Sequence, residues 1–169
     1  SVLVAAESSL FYFNKYTKET ERFSKVNGLS DAGVGVTGYD PQTKATVITY
    51  DNSNIDILQN GKVYNISDIK VRSIEGSKSI NDIYFYNSKA YLACGFGIVV
   101  LDLDRKEIYD TYYVGKNNAK IAVNNIVIND TAIFAGTVEG LLYAPKNSPA
   151  LSASETWKKF QSIGNTGKA

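Results

Sequence analysis

Val2-Leu3-Val4-Ala5, Thr46-Val47-Ile48-Thr49, Ala90-Tyr91-Leu92-Ala93 and Ala132-Ile133-Phe134-Ala135 are one apolar strand written four times. With Ala5, Thr49, Ala93 and Ala135 as equivalent positions, the spacings are 44, 44 and 42 residues, a period of the kind that β-propeller blades show. A second strand repeats beside the first at Leu10, Ile55, Ile98 and Leu141, spaced 45, 43 and 43 residues apart. The segments between them, Glu7-Ser8-Ser9, Asp51-Asn52-Ser53-Asn54, Gly95-Phe96-Gly97 and Val138-Glu139-Gly140, have the composition of tight reversals. Each unit therefore holds a central hairpin.

An alternating run precedes three of the hairpins, at residues 34–39, 80–86 and 123–128, where Ile80, Ile83 and Phe85 match Val123, Ile126 and Ile128. These read as innermost strands. A more polar run with aromatics follows each hairpin, around Arg22-Phe23, Val63-Tyr64, residues 108–114 and residues 157–160, as an outer strand half in water requires. Four antiparallel strands per unit make a propeller blade, so the expected fold is all-β with about four blades.

The expected blades cover residues 1–28, 29–75, 76–118 and 119–164, and the first lacks an inner strand because nothing before Val2 supplies one. The expectation is a single propeller fragment from a larger ring of six to eight blades. Open flanks on the first and last units would expose apolar blade faces and offer a route to self-association.

Composition agrees with many short strands and tight turns. The 169 residues include 12 Tyr, 7 Phe and 13 Gly but only 3 Pro, and a chain of this length can bury a real core. A net charge of +1 gives no bulk attraction to nucleic acid or to an anionic membrane, so neither is expected as a partner. No apolar run approaches the roughly 18 residues of a membrane span.

Catalytic and metal chemistry have little to work with here. The chain contains no His, which removes the Ser-His-Asp triad, His-ligated metals and His general bases. The acidic run Asp102-Leu103-Asp104-Arg105-Lys106-Glu107 lacks the glycine and ligand spacing of a calcium loop and reads as a polar turn. Asp40 and Asp51 read likewise. Gly95-Phe96-Gly97 is followed by Ile98-Val99-Val100 and no helix, so it is not a dinucleotide fingerprint. Asn129-Asp130 reads as a hairpin turn, and the single Cys94 as a small core filler. No catalytic, cofactor or metal residues are expected, and the chain reads as a non-enzyme.

Propellers bind ligands on loops carried by a rigid scaffold, which directs attention to the connections between blades at residues 70–78, 115–120 and 164–168. These hold Lys70, Arg72, Lys78, Lys116, Lys120 and Lys168 against Glu75 alone. Ammonium and guanidinium groups pair with phosphate or carboxylate, so an anionic glycan is one expected ligand and an envelope protein another. Phe96, at a hairpin tip, adds a ring on which a sugar could stack, although a Phe in a Gly-Phe-Gly turn more often folds under onto the neighbouring blade.

The segment Asn27-Gly28-Leu29-Ser30-Asp31-Ala32-Gly33-Val34 resembles the signature that begins blades in two-component-regulator-type propellers, the periplasmic sensors attached to histidine kinases. From Gly28 through Tyr113, including Tyr39-Asp40-Pro41, Asn54-Ile55-Asp56-Ile57, Gly61-Lys62-Val63-Tyr64, Ile80-Asn81-Asp82-Ile83-Tyr84-Phe85 and Gly97-Ile98-Val99-Val100-Leu101-Asp102-Leu103, the chain looks like the N-terminal propeller of PorZ-like proteins of the type IX secretion machinery. That resemblance implies an exported protein of a Gram-negative envelope, in the periplasm or at the outer surface, with no enzymatic role for this region. It also implies an association with the cell surface and an anionic lipopolysaccharide. The alternative is the carbohydrate-binding sensor propeller of a two-component receptor.

Overall fold

The computed structural model describes residues 2–6 and 9–161. Fifteen strands fall into four antiparallel sheets, each made of strands consecutive in sequence. Blade 1 is the three-stranded sheet β1 (Val2–Ala6), β2 (Ser9–Phe13) and β3 (Thr20–Phe23). Blade 2 runs β4 (Val34–Asp40), β5 (Ala45–Tyr50), β6 (Ile55–Gln59) and β7 (Lys62–Ile66). Blade 3 runs β8 (Ile80–Tyr86), β9 (Lys89–Cys94), β10 (Gly97–Asp102) and β11 (Glu107–Tyr112). Blade 4 runs β12 (Val123–Ile128), β13 (Ala132–Thr137), β14 (Gly140–Pro145) and β15 (Lys158–Lys159). Successive strands joined by short turns, with the 44-residue period repeated in space, are the blades of a propeller.

The blades stack face to face, and the cores lie between them. Along β9, Ala90, Leu92 and Cys94 join the layer shared with blade 2, while Tyr91 and Ala93 join the layer shared with blade 4. The neighbouring β10 divides the same way, with Val99 and Leu101 on one side and Ile98 and Val100 on the other. Period-two alternation sends successive side chains to opposite faces. Because both faces of a middle blade are covered, β5 and β9 read as nearly unbroken apolar runs. Three apolar layers result, between blades 1 and 2, 2 and 3, and 3 and 4.

The inner strands adjoin one another in sequence order, β4 with β8 and β8 with β12, and β1, the first strand of blade 1, adjoins β4. Between blades 3 and 4 this contact is polar as well as apolar. Asn81 Nδ2 donates to the Val123 carbonyl at 2.7 Å, Tyr84 Oη to the Ile128 carbonyl at 2.9 Å, and Ile126 N to Asp82 Oδ2 at 3.3 Å. Each bond joins residues 42 to 44 apart, so the repeat period is also the seam period.

Turn chemistry sets the blade ends. Asp102 Oδ1 accepts from the backbone N–H groups of Asp104 and Arg105 at 3.0 and 2.9 Å, and Asp40 accepts from Gln42 N, Thr43 N and Thr43 Oγ1. Asn129 Oδ1 does the same for Thr131 and Ala132. These are Asx turns, in which a short polar side chain satisfies the reversal. Cys94 is fully buried, and burial pushes its thiol up to about 12.

Candidate functional site

Two buried carboxylates join the loop entering β4 to the blade 2 hairpin and to the connection that leaves blade 2. Asp31, in the loop entering β4, accepts from Lys70 Nζ at 2.5 Å, Asn52 Nδ2 at 2.6 Å, Ala32 N at 3.1 Å and Lys25 Nζ at 3.3 Å. The ammonium of Lys70, with Asn52 next, holds the Asp31 carboxyl well below the usual carboxylate range. Asp56, on β6, is wholly enclosed and accepts from Tyr50 Oη at 2.6 Å, Ser30 N at 2.8 Å and Asn65 Nδ2 at 2.9 Å. Burial, reinforced by that carboxylate, drives the Tyr50 phenol pKa up. Together they tie the segment containing Leu29, Ser30 and Asp31 to the hairpin and to helix α1 (Asp68–Val71).

This framework decides what the predicted cations can do. Lys70 is spent on Asp31, and Lys78 Nζ donates to the carbonyls of Lys70 and Arg72 at 2.7 and 3.2 Å while its own carbonyl accepts from Ser53 Oγ. Lys120 Nζ lies 5.8 Å from the centroid of the Tyr113 ring. Arg72 and Lys116 are exposed, with no ion pair or hydrogen bond to their side chains among the described residues. The structure thus brings Lys70, Arg72 and Lys78 together on one connection and Lys116 and Lys120 on the next. Lys168, and Glu7 on the first hairpin loop, lie outside the described residues.

Phe96 requires a correction. It is not offered at the hairpin tip for stacking but is 1% exposed, folded under into the layer between blades 2 and 3, with its ring centroid 6.5 Å from that of Tyr113. Burying a ring this size is worth about 1.5–3 kcal/mol, and Gly97, at φ +145, supplies a backbone path open to glycine. The space beside Phe96 amounts to about 10 Å³, bounded by α1 residues Asp68 and Ile69.

The larger cavities open at the opposite end of the blades. One of about 570 Å³ lies between blades 1 and 2, where Tyr12, Glu21, Tyr39, Lys44 and Gln59 are among its walls. Another of about 300 Å³ lies between blades 3 and 4, walled by Tyr86, Lys89, Tyr109, Asp110 and Lys146 among others. Sequence reading missed both, because the residues of each come from different repeats. Their one local signal is Tyr109-Asp110 on a strand that faces water. Among the described residues no cluster of three or more His, Cys, Asp or Glu side chains is placed to hold a metal, and no helix is long and apolar enough to cross a membrane.

Comparison with known proteins accords with this architecture. The chain is 27% identical to PorZ of Porphyromonas gingivalis, described as an essential bacterial surface component of the type IX secretion system, and superposes with a TM-score of 0.83 over 94% of its length and 21% of that chain. Two structures of the extracellular domain of BT4673 from Bacteroides thetaiotaomicron, described as a one-component or hybrid two-component system, share the fold at 13% and 14% identity. Their TM-scores are 0.68 and 0.67, each over 92% of this chain and 21% of the other. The chain therefore spans about a fifth of the length of these structures. No curated protein matches it by sequence. The profile of the type IX secretion PorZ N-terminal β-propeller domain matches residues 2–158, and the chain belongs to that family.

Proposed function

We propose that this propeller is a non-catalytic binding and scaffold module of an exported cell-envelope protein, acting in the periplasm or at the outer surface, and that its loop end engages an anionic surface glycan or an envelope protein. The observation that carries this reading is the pair Arg72 and Lys116, exposed on adjacent blade connections and unpaired among the described residues. Lys120 extends the same strip of charge. Lys70 and Lys78 support it from beneath by fixing the connection that presents Arg72. The buried acids argue for a scaffold, since Asp31 and Asp56 are each surrounded by donors that hold protein together. The family membership supports the envelope setting, because the relative from P. gingivalis is a secretion-system surface component.

The test is charge reversal of Arg72, Lys116 and Lys120 to Glu in the full-length protein, with binding to lipopolysaccharide purified from the producing bacterium as readout. Loss of binding with unchanged folding is expected. Unchanged binding overturns the glycan reading and leaves the envelope-protein one, which co-purification of a partner lost in the same variant would support. A second reading, the sensor half of a two-component receptor, draws on the fold shared with BT4673. A membrane helix followed by kinase motifs in the parent gene would select it.

A further inference from the structure

From the cleft between blades 3 and 4 we infer that the end opposite the cationic loops binds a pyranose bearing an acidic group. The walls combine what such a ligand needs. Tyr109 is 58% exposed and Tyr86 stands at the end of β8, so two aromatic rings border a cavity of about 300 Å³. That is the lower end of the range for small-molecule sites, roughly 300–1,000 Å³. Rings with an apolar face and a polar rim suit the mixed surface of a sugar. Lys89 Nζ lies 4.6 Å from the Tyr109 centroid, and Lys146 Nζ lies 4.8 Å from that of Tyr86 while donating to its hydroxyl at 2.8 Å.

The charges in this cleft are not spent on one another. Asp110 Oδ1 accepts from the neighbouring Thr111 N, and neither Lys89 nor Lys146 is ion-paired with it or with any other described acid. Lys89, beside the Tyr109 ring, and Lys146, bonded to the Tyr86 hydroxyl, retain donors for an acid, and charge-assisted bonds of that kind are among the strong ones. Asp110 keeps its second oxygen for a hydroxyl.

An independent observation concerns the length of one connection. Between the third and fourth strands, blade 2 uses only Asn60 and Gly61, blade 3 uses residues 103–106, and blade 4 uses residues 146–157. This longest link contributes Lys146, Asn147, Ser148 and Leu151 to the cleft. It is also held in a defined path, with Trp157 Nε1 donating to the Leu151 carbonyl at 2.8 Å and Ser154 exchanging bonds with Asn118. Insertions in repeat proteins gather on the face that binds.

Calorimetric titration of the full-length protein tests this, using an oligogalacturonate, sulfated and phosphorylated galactose, and neutral galactose. At least one acidic sugar is expected to bind about ten-fold or more tighter than the neutral one, and the sugar that does so identifies the acid. Tyr109→Ala, or Lys89→Gln with Lys146→Gln, should weaken binding about five-fold or more, whereas Tyr109→Phe should retain it. Lys15→Gln with Lys18→Gln, in the exposed β2–β3 turn of blade 1, should leave it unchanged. The inference is overturned by no binding, by equal binding of neutral galactose, by cleft variants that bind normally, or by binding lost through Lys15 and Lys18 instead.

Discussion

The ring of Phe85 on β8 lies against Gly38 on β4, so closely that a Cβ on Gly38 would stand 2.7 Å from Phe85 Cε2. The inner strands of blades 2 and 3 meet here with no room for a methyl group. Gly38→Ala should lower stability by about 1–3 kcal/mol through overpacking. Denaturant unfolding measures it, and Gly38→Ala with Phe85→Leu should recover part of the loss if the ring is the obstacle.

Asp31 makes the fold sensitive to acid. Its folded-state pKa lies well below the ordinary aspartate value of 3.8, so its stabilisation is present above that pH and is lost as pH falls through the folded pKa. Asp31→Asn should cost about 1.5–3 kcal/mol at pH 7. The gap between wild type and variant should shrink in urea melts below pH 3.8; a constant gap would mean that charge is not what Asp31 contributes.

Cys94 should be chemically silent. Its thiol is buried and raised to about 12, so the reactive thiolate is scarce at neutral pH. A disulfide reagent such as Ellman's should label the native protein no faster than it unfolds, and label it promptly in denaturant.

Tyr84→Phe removes the bond from Tyr84 Oη to the Ile128 carbonyl and leaves the ring in place. A loss of about 1 kcal/mol is expected, read as a lower midpoint of thermal unfolding. A variant as stable as wild type would show that water replaces the phenol at that carbonyl.

The blades were legible because alternation and turn chemistry act within a few residues of each other, and four copies of Ala5, Thr49, Ala93 and Ala135 announce the period. The candidate site was legible only in part. That Arg72 and Lys116 sit on blade connections follows from the period, but that Lys70 is consumed by an acid 39 residues away does not. For Phe96 the sequence left two readings, a ring offered at the turn tip or one folded under, and its flanking glycines let the ring tuck under the neighbouring sheet. Tyr86, Tyr109 and Lys146 meet only after three strands and a long link are folded.

The bonds of Asn81, Asp82 and Tyr84 to blade 4 limit how far this propeller can be treated as interchangeable parts. Each depends on a side chain of one blade finding a backbone group of the next at a fixed height. A one-residue slip in β12 would turn its side chains to the opposite face and unhook all three at once. Loops can lengthen, as residues 146–157 have, without disturbing that match. Grafting blade 4 beside blade 2 would bring its inner strand against Gly38 and Tyr39 rather than Tyr84 and Phe85, and the order of the blades is thus written into their sides.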